Sequence, residues 1–315
     1  MNEYINEIKE LFNELDKASK QYYKAKKKYE KISRKIASYN RITSDDKKRF
    51  NIWNGDKMEG INENENGINK IRAIAVLDAK QRKVFENVGS INDNLDIAFL
   101  TNGLSISQLD NSEIMFNKAF LNASILPQYS NKISQNFKIN VDAKSFKNML
   151  KTFDKKSNLI IKVSEQDIIV SNNVKNVKIR LNEYNSKELN FKEPEFLTGI
   201  KLKYEDFINI LKDVKIASAY ITFDFHKNEK MLNIEAKSVA MEYNSNIQLN
   251  PDAIIKNNED SKTTINIELL EKAIKNIDKK SEIKLYFNNN SILKMIYVVG
   301  GIENICYIAP YVENI

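Results

Sequence analysis

Apolar positions divide the chain into two regimes. In residues 1–37, Met1, Tyr4, Ile8, Leu11, Leu15, Ala18, Tyr22, Ala25, Tyr29, Ile32 and Ile36 recur at alternating steps of three and four. That is the seam of a heptad repeat, and it predicts one long amphipathic helix of coiled-coil type. The helix begins acidic (Glu3, Glu7, Glu10, Glu14) and turns basic (Lys24, Lys26, Lys27, Lys28, Lys31, Arg34, Lys35), which complements its dipole. Packing on the body, standing in solvent and pairing antiparallel with a second copy all satisfy this pattern. Its basic half also suits DNA contact or a nuclear-localisation run. Residues 38–70 lose the period and carry turn chemistry such as Asn54-Gly55-Asp56, so they read as a polar linker holding the one tryptophan, Trp53.

From Ile71 short strands alternate with amphipathic helices. Strands are predicted at 71–77, 95–100, 104–109, 114–121, 159–163, 168–171 and 174–181. Helical faces appear on Val84, Phe85, Val88 and Ile91, with Asp78 as N-cap, and over 142–153 on Phe146, Met149, Leu150 and Phe153. A polar connector at 182–196 carries Pro194. The same order then returns: a helix over 203–217, strands at 220–225, 231–236 and 241–249, a polar loop at 250–261, a helix over 266–277, and strands at 283–287 and 292–299. Asp154-Lys155-Lys156-Ser157 recurs as Asp278-Lys279-Lys280-Ser281, and in that register Phe146, Leu150 and Phe153 fall on Leu270, Ile274 and Ile277. The body is therefore expected to be an internal duplication.

Composition narrows the function classes. Of 315 residues 42% are hydrophobic, enough for real cores, and 8 Gly with 4 Pro exclude Gly/Pro-rich disorder. The single cysteine, Cys306, lies in an apolar strand; no disulfide framework is expected, and a reducing compartment is. No signal peptide and no membrane-length apolar run are visible. The net charge of +7 is shared almost evenly between the first 70 residues and the rest, so placement and not bulk charge must argue for nucleic acid. The one histidine, His226, sits in a polar turn. No metal-ligand spacing and no phosphate loop occur, so neither catalysis, cofactor nor metal is expected.

The closing stretch is the most specific. Apolar runs at 292–299 and 305–309 flank Gly300-Gly301, whose left-handed backbone suits a hairpin turn, and the second run stops at Pro310. The wording Leu293-Lys294-Met295-Ile296-Tyr297, a glycine turn, then Cys306-Tyr307-Ile308-Ala309-Pro310 resembles the end of the PCNA-type sliding clamps. The segment Gly103-Leu104-Ser105-Ile106-Ser107-Gln108-Leu109-Asp110 is similar to another stretch of that family, and 182–196 stands where it has its interdomain connector. The resemblance covers about 71–313; the extension before it and the basic balance depart from the family.

The resemblance implies an α+β clamp fold with helices lining a channel and sheets outside. Its parts would be a helix at 1–37, a linker at 38–70, clamp domains at 71–181 and 197–315, and a connector at 182–196. Three chains would close a ring around duplex DNA without reading its sequence. The ring would tether DNA polymerase and other clamp-binding-motif proteins, be opened by a clamp loader, and act at intracellular sites of DNA replication, with no membrane partner. The channel positions are Lys80, Lys83, Lys144, Lys147, Lys151, Lys212, Lys215, Lys272, Lys275 and Lys279, each opposite an apolar helix face. A lysine stripe on one helix is ordinarily a solvated face; four such helices in a duplicated body suit a lining that holds phosphates and slides. The client groove would be Leu109, Phe116, Leu189, Phe191, Ile292, Tyr307, Ile308, Ala309 and Pro310, each of which alone is an ordinary core residue. Between protomers, 174–181 would pair with 231–236 or its neighbours. A non-encircling coiled-coil scaffold on a clamp-like body is the alternative.

Overall fold

The computed structural model describes residues 70–183 and 192–312. The heptad helix and linker, Trp53, and the connector residues Leu189 and Phe191 lie outside the described residues. The fold below is that of the unit Asn66–Ile315.

Its first half runs β1 (Ala73–Leu77), α1 (Ala79–Val88), β2 (Asn94–Leu100), β3 (Gly103–Leu109), β4 (Met115–Asn122), β5 (Gln128–Asn131), β6 (Phe137–Asp142), α2 (Ala143–Lys151), β7 (Leu159–Val163), β8 (Asp167–Ser171) and β9 (Asn176–Arg180). The second half repeats that order as β10 (Thr198–Lys203), α3 (Tyr204–Ala217), β11 (Tyr220–His226), β12 (Met231–Lys237), β13 (Glu242–Gln248), β14 (Ile254–Asn257), β15 (Ser261–Asn266), α4 (Ile267–Ile274), β16 (Glu282–Phe287), β17 (Leu293–Val299) and β18 (Ile302–Ile308). Both Asp-Lys-Lys-Ser repeats form the same turn, Ser157 N–H donating to Asp154 O at 3.2 Å and Ser281 N–H to Asp278 O at 2.8 Å.

Helix starts follow from local chemistry. Asp78 and Gln81 form a reciprocal capping box on α1, and Asp142 and Asn266 accept from Ser145 N–H and Glu268 N–H on α2 and α4. Helix α3 has no side-chain cap, but Glu205 and Asp206 offset its dipole. Helices α2 and α4 stop at Lys151 and Ile274, short of the 153 and 277 expected, because each chain bends into the Asp-Lys-Lys-Ser turn. Five strands were not legible as such: β5, β6, β10, β14 and β15. Strand β14 lies within the polar loop expected at 250–261 and pairs with β10, while β15 begins at the last residue of that loop and pairs with β11.

Strand pairing yields three antiparallel sheets, ordered β5-β1-β7-β8-β9, β13-β12-β11-β15, and β14-β10-β16-β17-β18-β4-β3-β2-β6. The nine-stranded sheet crosses from one half to the other at β18–β4, with Cys306 opposite Asn117 and Ile308 opposite Met115. By the duplication β9 corresponds to β18 and β13 to β4, and both are left at open sheet edges. Strand β12 is flanked by β11 and β13, so residues 231–236 have no free edge and the neighbour β13 has one.

The helices pack on one face of the sheets, α1 under β3, β4, β17 and β18, and α3 under β10 to β13 and β16. Phe85, Phe146, Phe207, Phe223 and Phe287 fill this layer and are fully buried. Under α1 the core holds a polar knot: Asn87 donates to the Tyr297 hydroxyl at 3.2 Å, and that hydroxyl donates to Asn117 at 3.2 Å. Arg82, 4% exposed, donates to the carbonyls of Leu150 at 2.8 Å and Phe153 at 3.4 Å, so α1 caps the C-terminus of α2 with a positive charge. The Gly300-Gly301 hairpin has φ of 60° and 79°. A Cβ at Gly300 would lie 2.4 Å from the Lys80 carbonyl, so this turn is locked against α1.

Candidate nucleic-acid interface and partner groove

Each helix turns its apolar stripe to the sheets and its lysines away from them. Lys80, Lys83, Lys144, Lys151, Lys212, Lys215, Lys272 and Lys275 are exposed and Lys147 is half-buried. Lys275 is the C-cap of α4, and Lys279 lies beyond the helix in the turn, off the stripe that a helix to 277 would have made. The lysines are not equivalent. Lys215 pairs with Glu271 at 2.7 Å and Lys272 with Glu268 at 2.8 Å. Exposed pairs of this kind are weak and exchange readily for another anion. Lys147 is different: partial burial, then the charges of Lys151 and Lys275, lower its proton affinity, with Glu86 opposing. The charges of α2 and of the end of α4 thus act on one another at Lys147, which lines a cleft of about 370 Å³ with Ser90, Asn92, Lys144, Asn148 and Lys151. An anion placed there would relieve that mutual repulsion.

The groove residues lie on the other side of the sheet. Leu109, Phe116, Tyr307 and Lys294 stand opposite one another in successive strands β3, β4, β18 and β17. Residues paired in this way share a face. Phe116 and Tyr307 stack with ring centroids 6.3 Å apart. Beyond β18 the tail stays extended: Ala309 N–H donates to Ile114 O and Tyr311 N–H to Thr264 O, both at 2.8 Å. Tyr311 stacks on Tyr220 at 3.9 Å. Ala309, Pro310 and Ile292 are half-buried here. Ile308 alternates to the opposite face and is fully buried in the core, so it supports the groove from beneath.

Several side chains at this face escaped the sequence reading. Ile114 is 41% exposed beside Ala309. Lys294 donates to Glu193 at the end of the connector, Tyr307 donates to the same carboxylate at 3.1 Å, and Phe196 and Tyr286 stand beside Lys294. The only sequence signal was a charge, Lys294, inside an otherwise apolar strand. Burial works to raise the Glu193 carboxyl, but the hydrogen bonds from Lys294 and Tyr307 and the charges of Lys294 and Lys118 outweigh it and hold it below the ordinary range. Tyr307 is pushed up by burial and by Glu193. Among the described residues no cluster of three or more His, Cys, Asp or Glu is placed to hold a metal ion, and no helix is long and apolar enough to cross a membrane.

No protein-family model matches the chain. Curated relatives do: a DNA polymerase sliding clamp of Methanococcus maripaludis is 21% identical over 242 residues, covering 74% of this chain and 96% of the relative. DNA polymerase sliding clamp 1 of Thermococcus kodakarensis is 25% identical over 227 residues, covering 70% and 90%. Among solved structures, A. fulgidus PCNA bound to the C-terminal region of FEN-1 superposes with a TM-score of 0.69 at 16% identity, covering 77% of this chain and all of that one. PCNA from Thermococcus kodakaraensis gives 0.66 at 17%, covering 76% and 100%. The body of this chain therefore has the fold of the PCNA sliding clamps and is similar to them in sequence.

Proposed function

We propose that this protein is a DNA polymerase sliding clamp, a ring of three protomers that encircles duplex DNA and tethers polymerase and other clamp-binding proteins. The observation that carries the ring is the duplication. Within one chain the halves are joined by pairing β18 to β4, and the equivalent strands β9 and β13 are left unpaired at opposite ends. The joint buries Ile302, Asn304, Cys306 and Ile308 against Met115, Asn117, Ala119 and Leu121. On β9 and β13 the corresponding face, with Val177, Ile179, Tyr243 and Ile247, is only half-buried. A second chain pairing β13 with β9 repeats the internal joint, covers that face and removes both edges. Repeated head to tail, the joint closes a ring.

With the helices on the inside, the lysines face the hole. They contact phosphates and not base edges, which gives binding without sequence preference, weakened by salt. The clamp loader, the repair clients and action at replication sites extend this reading by family likeness. The role is binding, with no catalytic step assigned.

Charge reversal tests the channel. Lys147→Glu with Lys275→Glu is expected to reduce retention on duplex DNA at least tenfold, loading and washing at constant salt, while sedimentation shows an unchanged oligomer. Unchanged retention would contradict the assignment of these helices to the hole.

A further inference from the structure

We propose that Lys294 is the positioning residue of the connector: its ammonium, enclosed by three aromatic rings, holds Glu193 and so fixes the connector's C-terminal end beside Tyr307 at the mouth of the groove. The inference rests on the groove reading above for its consequence, though not for its geometry.

Lys294 is the second residue of β17, and its side chain is only 17% exposed. Its Nζ lies 5.9 Å from the ring centroid of Phe196, 5.7 Å from that of Tyr286 and 5.9 Å from that of Tyr307. Ring faces attract a cation, and an ammonium this enclosed keeps few water contacts. Among the described residues its charge is met by one carboxylate, Glu193. The sequence makes room for this enclosure at Gly199, since a Cβ there would lie 2.8 Å from the Tyr286 ring.

The same carboxylate accepts from the Tyr307 hydroxyl on the neighbouring strand. Glu193 thus ties the connector to β17 and β18 together, one residue before Pro194. Past that point the chain is held by other contacts: Asn288 donates to Glu195 O at 2.9 Å and Lys256 to Phe196 O at 2.7 Å. At its start the connector is held by Asn182, which donates to Asn140 at 2.7 Å. Glu193 is therefore the contact by which the last connector residues before Glu195 meet the groove face. Loss of the charge pair frees that end, and a client peptide then orders it at its own expense.

The test uses the full chain with Lys192→Cys carrying a nitroxide. Cys306 is fully buried with its thiol proton affinity raised, so the label reports on one site. Lys294→Met keeps the stem and Glu193→Gln keeps the shape; each is expected to raise label mobility clearly. Each should also weaken binding of the A. fulgidus FEN-1 C-terminal peptide about tenfold, the scale of one charge-assisted hydrogen bond. Lys294→Arg restores both, because guanidinium pairs with carboxylate and stacks on rings. In the wild type, mobility rises as pH falls below the ordinary carboxylate range and Glu193, which faces Lys294, Lys118 and Tyr307, takes up its proton; Glu193→Gln flattens that profile.

Unchanged mobility in both variants overturns the proposal, as does changed mobility with unchanged peptide affinity. If the wild type itself fails to bind the peptide, the groove reading falls, and the label still decides whether Lys294 holds the connector. If Lys294→Met does not fold, Glu193→Gln, at a carboxylate 40% exposed, carries the same outcomes.

Discussion

At the scale of single residues, polar groups buried in the core are the most exacting feature of this protein. Tyr297 is 1% exposed, and its hydroxyl joins Asn87 of α1 to Asn117 of β4. It thereby links the helix to the strand joint between the halves. Among the described residues Asn87 Oδ1 and Asn117 Nδ2 have no partner, so the knot has none to spare. Tyr297→Phe would strip Asn87 Nδ2 and Asn117 Oδ1 of the hydroxyl while changing little in volume. The expected loss is roughly 1–3 kcal/mol, the cost of leaving buried polar groups unpaired. It should be read as a lower denaturant midpoint at unchanged m-value. A midpoint equal to the wild type would mean that other partners satisfy these amides.

At the scale of elements, β9 and β13 are built unlike the strands they mirror. Their sequences, Asn-Val-Lys-Ile-Arg and Glu-Tyr-Asn-Ser-Asn-Ile-Gln, alternate as any strand does, yet their inward residues stay half-exposed. The central strands β11 and β12, by contrast, bury every second side chain. Ile179→Asp or Ile247→Asp should therefore cost the folded protomer little and the assembly much. Sedimentation is expected to shift from oligomer to monomer with thermal unfolding of the protomer retained, and an intact oligomer in both variants would remove these edges from the interface. Helices and apolar strands were legible in the sequence because their periods are strong: Phe146, Met149 and Leu150 mark α2 as plainly as Leu285 and Phe287 mark β16. The glycine hairpin and the Asp78 cap were legible from backbone chemistry. What stayed hidden has a common cause. Strands such as Gln128–Asn131 and Ile254–Asn257 are four residues long and owe their state to the neighbour they pair with, which no local pattern records. The groove was half legible for the same reason. Tyr307 and Pro310 stand out in the closing motif, whereas Lys294, Glu193, Phe196 and Tyr286 meet only after the sheet is assembled.

At the scale of the whole molecule, function follows from a duplication that leaves its ends unpaired. The joint that holds the halves together is covalently enforced once per chain and must otherwise be made between chains. In the proposed ring, helices that bury one face against the sheets would present lysines to the hole, and paired glutamates such as Glu271 and Glu268 would keep that surface from gripping too firmly. Weak phosphate contact together with topological closure would yield a protein that stays on DNA and moves along it. Closure is the central claim, and DNA topology tests it most directly. The full-length chain is threaded over the free end of a duplex anchored at its other end, the free end is then blocked in half of the sample, and both halves are washed at high salt. Encirclement predicts retention on the blocked duplex and loss from the open one; equal loss, or equal retention, would contradict it.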